Sequence, residues 1–253
     1  MTAETSPADA QRPPELLGQT VVVIGGSAGI GLETARRARA EGAEVVLTGR
    51  NPDRLEQAAR DLGALGTSAF DATDFARLGR FFTEAPAPLD HVMVTAGRPY
   101  YAPFAEIDLA AARRSVDEEI GLVLEVARNA VGRVRPGGSL VFVGGTGGRR
   151  TGVGLSVIGA VTAALPRLVA NLALELAPIR VNVVAPGFVD TPLSAAILGD
   201  DLEQRREQLR STLPIGRVVG PADVAALAVH LMTNTALTGA TYDVDGGQQL
   251  LPG

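Results

Sequence analysis

The chain contains no lysine. All 23 of its basic side chains are arginine, set against 28 acidic residues for a net charge of −5. Any reaction that rests on a lysine side chain is therefore closed to it. There is also no cysteine, which excludes disulfides, thiolate catalysis and cysteine-ligated metals. Two histidines, His91 and His230, are too few for a histidine-rich metal site, so no metal is expected. The negative balance gives no electrostatic basis for binding nucleic acid or an anionic membrane. No uninterrupted run of 18 or more apolar residues occurs, so no membrane span is expected. The stretch Met1–Glu15 is polar and proline-rich and lacks the apolar core of a signal peptide. It is expected to be a mobile tail on a cytoplasmic protein.

What is present is a regular alternation. With 253 residues and 46% apolar content, the chain is long enough to bury one full core as a single α/β domain. Thr20–Ile24 is a continuous apolar run, as in a strand buried on both faces. A glycine-rich turn and a helix near Ile30–Glu41 follow, then a second buried strand at Ala43–Thr48. The pattern predicts further helices near Asp53–Leu62, Asp74–Thr83, Ala110–Arg133, Ser156–Leu176 and Pro221–Met232. Strands are predicted near Thr67–Asp71, His91–Thr95, Ser139–Val143, Arg180–Val184 and Thr241–Val244. Such alternation implies a parallel sheet with helices on both faces. Pro192–Pro214 is polar and charged, interrupts the alternation, and reads as a lid near 192–214.

The turn Gly25-Gly26-Ser27-Ala28-Gly29-Ile30-Gly31 joins the first strand to the first helix. Glycines there let the backbone approach a pyrophosphate, and the helix N-terminus offers free N–H groups and a positive dipole. The strand before it and the helix after it make the motif specific. At the end of the second strand, an acid would accept from the ribose 2′-hydroxyl of NAD, whereas an arginine suits the 2′-phosphate of NADP. Here Gly49 occupies the acid position and Arg50 follows. NADP(H) is therefore favoured over NAD(H).

With these motifs in place, the chain resembles the short-chain dehydrogenase/reductase family from about Leu17 to Leu250. Ile24–Gly31 resembles the family's Thr-Gly-x-x-x-Gly-Ile-Gly with Ile24 in place of threonine. Asp71, followed by Ala72, looks like the aspartate used on the adenine amino group. Val94-Thr95-Ala96-Gly97 resembles Asn-Asn-Ala-Gly without its asparagines. Arg180–Gly187 is similar to the family's late strand and Pro-Gly turn, ending in Pro186 and Gly187. Val189 and Thr191 fall where the nicotinamide carboxamide is held, and Asp245-Gly246-Gly247 resembles the C-terminal signature. The resemblance implies a single doubly wound, Rossmann-type domain over residues 16–253, with a seven-stranded parallel sheet. It also implies a homo-oligomer, dimer or tetramer, built on the long fourth and fifth helices, where Pro166 is expected to disturb the packing of the fifth.

The family's reaction uses an Asn-Ser-Tyr-Lys tetrad. Counting back from Arg180 puts Ile158 at the tyrosine position and Thr162 at the lysine position. Counting forward from the fifth strand puts Gly145 at the serine position and again reaches Ile158. Glu118 falls at the asparagine position, three residues before Gly121. Codon bias in a GC-rich genome would account for arginine in place of lysine, but not for isoleucine in place of tyrosine. Replacement candidates are Glu118, whose carboxyl burial would make a usable acid or base, and Thr146 and Ser156, which flank the emptied positions. Glu118 belongs to the acidic run Asp117–Glu119, a pattern usual on a solvated helix face. Tyr100 and Tyr101 lie on a loop that borders the substrate in family members, and Arg149 and Arg150 are placed to receive an anionic substrate. His91 and His230 read as structural. Three functions follow: an NADP(H)-dependent oxidoreductase with an unconventional proton donor, a non-catalytic NADP-binding partner subunit, or a non-redox isomerase or cyclase. Fold and cofactor alone do not decide among them.

Overall fold

The computed structural model describes residues 14–251. Of the expected tail, residues 1–13 lie outside the described residues. Glu15 belongs to the folded body, its N–H donating to Glu41 Oε2 at 3.3 Å, and Leu16 is fully buried.

Seven strands form one sheet: β1 (Thr20–Ile24), β2 (Glu44–Gly49), β3 (Gly66–Ala69), β4 (Leu89–Val94), β5 (Val134–Val143), β6 (Arg180–Pro186) and β7 (Thr241–Val244). All neighbours are parallel, in the order β3-β2-β1-β4-β5-β6-β7. The helices are α1 (Gly29–Ala40), α2 (Pro52–Leu62), α3 (Phe75–Glu84), α4 (Leu109–Ala130), α5 (Ser156–Glu175), α6 (Pro192–Leu198), α7 (Leu202–Thr212) and α8 (Pro221–Thr233). Successive strand residues point to opposite faces, which is why the β1 run is apolar throughout. Val22 and Ile24 pack with Leu78, Phe81, Val123, Val126 and Val169 from α3, α4 and α5. Val21 and Val23 pack with Ala35, Leu55, Val224 and Leu231 from α1, α2 and α8. Each such side chain contributes about 1.5–3 kcal/mol by leaving water.

Two segments carry more regular structure than their sequence pattern conveys. Residues 192–214 are not a plain interruption, because α6 and α7 occupy most of them, joined by a 3-10 turn at Gly199–Asp201. Pro166 does not break α5, which runs through it. Although α5 is long and apolar enough to cross a bilayer by length and composition, Val161, Leu165, Val169 and Leu172 bury its inner face in this fold.

A row of buried polar side chains crosses the N-terminal half of the sheet. His91, Ser139 and Arg180 are register partners on β4, β5 and β6. His91 Nε2 meets Gln19 Oε1 at 2.7 Å and Nδ1 meets Ser139 Oγ at 2.8 Å, an arrangement that suits the neutral ring with the Ser139 hydroxyl donating. Burial, followed by the charge of Arg180, pushes the His91 pKa down to about 3. Arg180 donates to the carbonyls of Leu231 (2.6 Å), Met232 (2.6 Å), Asn234 (3.2 Å), Leu237 (3.2 Å) and Gly137 (3.3 Å). One guanidinium thereby satisfies the C-terminal end of α8 and ties it to β5 and β6.

Arg180→Met takes the guanidinium donor from the Leu231 and Met232 carbonyls, while Leu237 keeps Asn182 Nδ2 and Asn234 keeps the Leu237 N–H, and it is expected to cost about 3 kcal/mol or more, lowering the melting temperature by roughly 6–12 °C in calorimetry. A shift under about 2 °C would show that the carbonyls find other partners. His91 gives a pH dependence of known sign. Below 6.5 the unfolded chain binds a proton that the folded protein refuses until about 3, so stability falls as pH falls through that window. The slope is about 1.4 kcal/mol per pH unit. His91→Gln is expected to flatten the urea-midpoint profile between about pH 4 and 6; parallel profiles for the two proteins would refute it.

Candidate functional site

The strand order reverses between β1 and β4, and a crevice opens beyond the C-terminal ends of the strands at that point. It is a cleft of about 430 Å³ lined by the ends of β1 to β4, by Glu118, Glu119 and Leu122 of α4, and by Pro192, Leu193 and Ala196 of α6. Of the residues expected to hold a cofactor, Gly25, Ser27, Arg50, Asp71, Ala72, Ala96 and Gly97 line it.

The glycines are required by contact as well as by conformation. Gly25 has φ +96, and a Cβ there would stand 2.6 Å from Thr95 Oγ1. A Cβ on Gly31 would collide with the Gly25 carbonyl and also stand 2.6 Å from Thr95 Oγ1. The first turn of α1 is therefore pressed against the ends of β1 and β4. Asn51, Asp74, Asp108 and Thr191 cap α2, α3, α4 and α6 with side-chain oxygens. The α1 N-terminus has Ala28 at its cap, no side-chain cap and no acid in its first turn. It thus presents open N–H groups beside a cleft, an arrangement that suits an anion.

Arg50 and Arg54 line the same cleft. Arg50 reaches Asp71 only at 3.9 Å, with both side chains about half exposed. Burial opposes ionisation of Asp71. Hydrogen bonds from the Thr73 N–H and hydroxyl, with the charges of Arg50 and Arg98, nevertheless hold its carboxyl below the usual range. At Gly49 a Cβ would come within 2.9 Å of Ser27 Oγ, so the position usual for an acid is also sterically tight.

The remaining expected cofactor residues lie beside the cleft. Thr191 caps α6 and stands 3.5 Å from where a Cβ of Gly29 would be, close to Ile30 and Gly31. Val189 is buried and bridges to Val219. Pro186 ends β6, and Gly187 turns against Asp245 and Gln248, where a Cβ would stand 2.8 Å from that of Asp245.

Gly145, Ile158 and Thr162 come together at the start of α5. A Cβ at Gly145 would stand 3.6 Å from Thr162 Cγ2, and the Thr162 hydroxyl donates to the Ile158 carbonyl at 2.8 Å. Thr162 and Ile158 are both buried. Thr146 is buried in the adjoining 3-10 turn, and Ser156 opens α5. Glu118 lines the cleft, whereas Gly145, Ile158 and Thr162 are not among its lining residues.

The acidic run of α4 is not a uniformly solvated face. Asp117 is exposed, but Glu118 and Glu119 are half-buried and line the cleft. Glu119, which carried no separate signal in the sequence, is the more engaged. Its Oε1 accepts the Arg98 N–H at 3.1 Å, and burial, reinforced by the charge of Glu118, holds its carboxyl above the usual range. Tyr100 is used structurally, its hydroxyl accepting the Asp108 N–H at 2.9 Å. Burial and then the charge of Glu119 raise the Tyr101 phenol, although about half of that side chain is exposed. Arg149 is not free for a substrate, since it is bound to Asp243 and Gln249. Arg150 makes no ion pair among the described residues. His230 sits on α8 with Nε2 3.3 Å from Asn234 Nδ2, away from the cleft lining. Arg54, Arg98 and Leu122 also belong to the lining and were not singled out from the sequence.

Comparison with known proteins agrees with this geometry. A family profile described as enoyl-(acyl carrier protein) reductase matches residues 25–249. The NADP-dependent (R)-specific alcohol dehydrogenase of Lentilactobacillus kefiri is 31% identical over 249 residues, 92% of this chain and 97% of that one. A small-chain dehydrogenase solved in complex with NADPH superposes with a TM-score of 0.80 at 28% identity, covering 92% of this chain and 99% of that one. The MalC reductase/Diels-Alderase of Malbranchea aurantiaca superposes with a TM-score of 0.87 at 25% identity, over 94% and 99%. Matched along nearly its whole length in sequence and in fold, the chain belongs to the short-chain dehydrogenase/reductase family.

Proposed function

We propose that the protein is an NADP(H)-dependent oxidoreductase that works without a Tyr-x-x-x-Lys pair, as a cytoplasmic homo-oligomer. The observation that carries the cofactor reading is the uncapped α1 N-terminus opening into a cleft that holds Arg50 and Arg54 and has glycine at position 49. These residues fit NADP(H): the first turn of α1 for the pyrophosphate, the two arginines for the 2′-phosphate, and Asp71 and Ala72 for the adenine. When bound, the cofactor supplies or accepts a hydride. The NADP dependence of the Lentilactobacillus enzyme and the NADPH complex of the structural neighbour support the same choice.

The proton is the harder part. Without a lysine anywhere in the chain, and with glycine, isoleucine and a threonine already bonded to a carbonyl beside α5, that wall has no evident acid. A missing general acid typically costs about 10²–10⁴-fold. The site therefore suits substrates that ask little of a protein acid, such as an activated C=C bond or an iminium ion, taken in beneath a lid of α6 and α7. A second reading is favoured by the likeness to a reductase that is also a Diels-Alderase: ring formation in the emptied pocket, with no net redox change.

NADPH is expected to bind more tightly than NADH in fluorescence titration. Removing both arginines (R50A/R54A) is expected to weaken NADPH by about 10–100-fold while leaving NADH nearly unchanged. Equal losses for the two cofactors would remove the 2′-phosphate assignment. NADPH consumption is expected with an activated enone or iminium and not with a simple ketone; ring closure without NADPH consumption would establish the second reading instead. The homo-oligomer rests on exposed Leu109, Val116 and Leu124 along α4. Light scattering is expected to give a multiple of 26.1 kDa, and a monomer mass would overturn that part.

A further inference from the structure

Glu119 occupies the cleft without a cationic partner. Its carboxyl lies so close to Gly97 that a Cβ there would stand 3.0 Å from Oε1. Its carboxyl accepts a hydrogen bond from a main-chain N–H, that of Arg98, and it forms no ion pair among the described residues. The surrounding charges do not neutralise it. Arg98 gives Glu119 only its backbone, while its guanidinium acts on Asp71. Arg50 is likewise drawn toward Asp71, and Arg54 faces the same cleft from α2. Glu118 precedes it on α4, and Tyr101 approaches from the loop after β4. From α6 only Pro192, Leu193 and Ala196 face the cleft, and none of them titrates.

An NADP(H) molecule would bring a pyrophosphate and a 2′-phosphate into this space. An ionised carboxylate that is half-buried and unpaired repels such a ligand, and the low local dielectric strengthens the repulsion. A protonated carboxyl does not, and its hydroxyl is a donor in a cleft about to be filled with acceptor oxygens. The two protonation states of Glu119 therefore differ in affinity for the cofactor, and by linkage the cofactor must shift its titration.

We propose that Glu119 is a proton-linked cofactor-binding residue: the cleft takes a proton from solvent onto this carboxyl as the anionic dinucleotide binds, and loses it on release. The inference rests on the NADP(H) reading above. It makes cofactor retention sensitive to pH through a residue that need not touch the substrate. Glu119→Gln keeps the acceptor for the Arg98 N–H and removes the charge, so it holds the cleft in its binding-competent state at every pH.

The test is NADPH fluorescence titration of the full chain and of E119Q between about pH 6 and 8.5. Calorimetry of the unaltered protein in two buffers of different ionisation enthalpy counts protons independently of any variant. The 2′-phosphate itself ionises near pH 6 and works in the opposite direction, but it is common to both proteins and cancels in their ratio. The unaltered protein is expected to lose affinity relative to E119Q as pH rises, by up to about tenfold per unit, with net proton uptake on binding. E119Q is expected to bind at the upper pH at least as tightly as the unaltered protein does at the lower. Identical affinities at every pH would overturn the proposal. Uniformly weaker binding by E119Q would also overturn it, because the carboxylate would then be a direct acceptor. If neither protein binds NADPH or NADH at any pH, the cofactor reading itself fails, and this inference with it.

Discussion

The cofactor end of the molecule depends on a contact that has no room for a side chain. Gly31, in the first turn of α1, lies against the Gly25 carbonyl, and Thr95 closes the junction from β4 by donating its hydroxyl to Gly25 (3.2 Å) and Ile24 (3.3 Å). Three elements separated by up to 71 residues thus meet at one point. The consequence is directional. A helix held this close to the strand ends presents its first-turn N–H groups to the crevice and not to the layer below. A methyl group at Gly31 would push the helix back and carry that anion-binding edge away, and one at Gly25 would strike Thr95 and Ala96. The open α1 terminus and the cleft beside it are one feature seen from two sides.

A second set of remote polar contacts lies at the other end of the strands. The His91–Ser139–Arg180 row and the fan of carbonyls on Arg180 tie α8 to the middle of the sheet, where the chain gains nothing by moving. Polar groups this deeply buried are tolerated because nearly every donor and acceptor is matched. With the N-terminal edge held in this way, the C-terminal edge can carry glycine-rich loops such as 144–148 and the helices α6 and α7.

The parts legible in the sequence are those whose signal is local. Each buried strand announces itself as a short apolar run, and Gly25–Gly31 carries its meaning in its own spacing. The parts that escaped depend on remote partners or lack an apolar period. Helix α7 buries only Leu209 fully and is laced by ion pairs of Arg206 and Arg210 with Glu203 and Glu207, so it reads as polar loop. Pro166 sits inside α5 at the loss of the bond its absent N–H would have made to the Thr162 carbonyl, a loss that the packing of the inner face outweighs. Arg149 reads as available in the sequence because the residue that holds it, Asp243, is distant along the chain. Glu118 and Glu119 are indistinguishable as letters in an acidic run. A rotation of about 100° per residue decides which of them meets the loop after β4, and only the three-dimensional register supplies that angle.

That rotation bears on what kind of enzyme the pocket allows. In the family's arrangement the ionisable groups stand mainly on the β5–α5 wall, next to the substrate's oxygen. Here that wall offers Gly145, Ile158 and a threonine turned back on its own helix, while two carboxyls stand on the α4 wall beside Ala96 and Gly97. A titratable group in that place shares the cleft with the residues proposed to hold the cofactor, whereas Gly145, Ile158 and Thr162 do not line it. It is therefore better placed to control whether an anionic dinucleotide stays than to deliver a proton to a ketone. Under the function proposed above, a β5–α5 wall of Gly145, Ile158 and Thr162 would leave the substrate to supply, or do without, an acid, while the carboxyls of α4 line the cleft with the residues proposed to hold the cofactor.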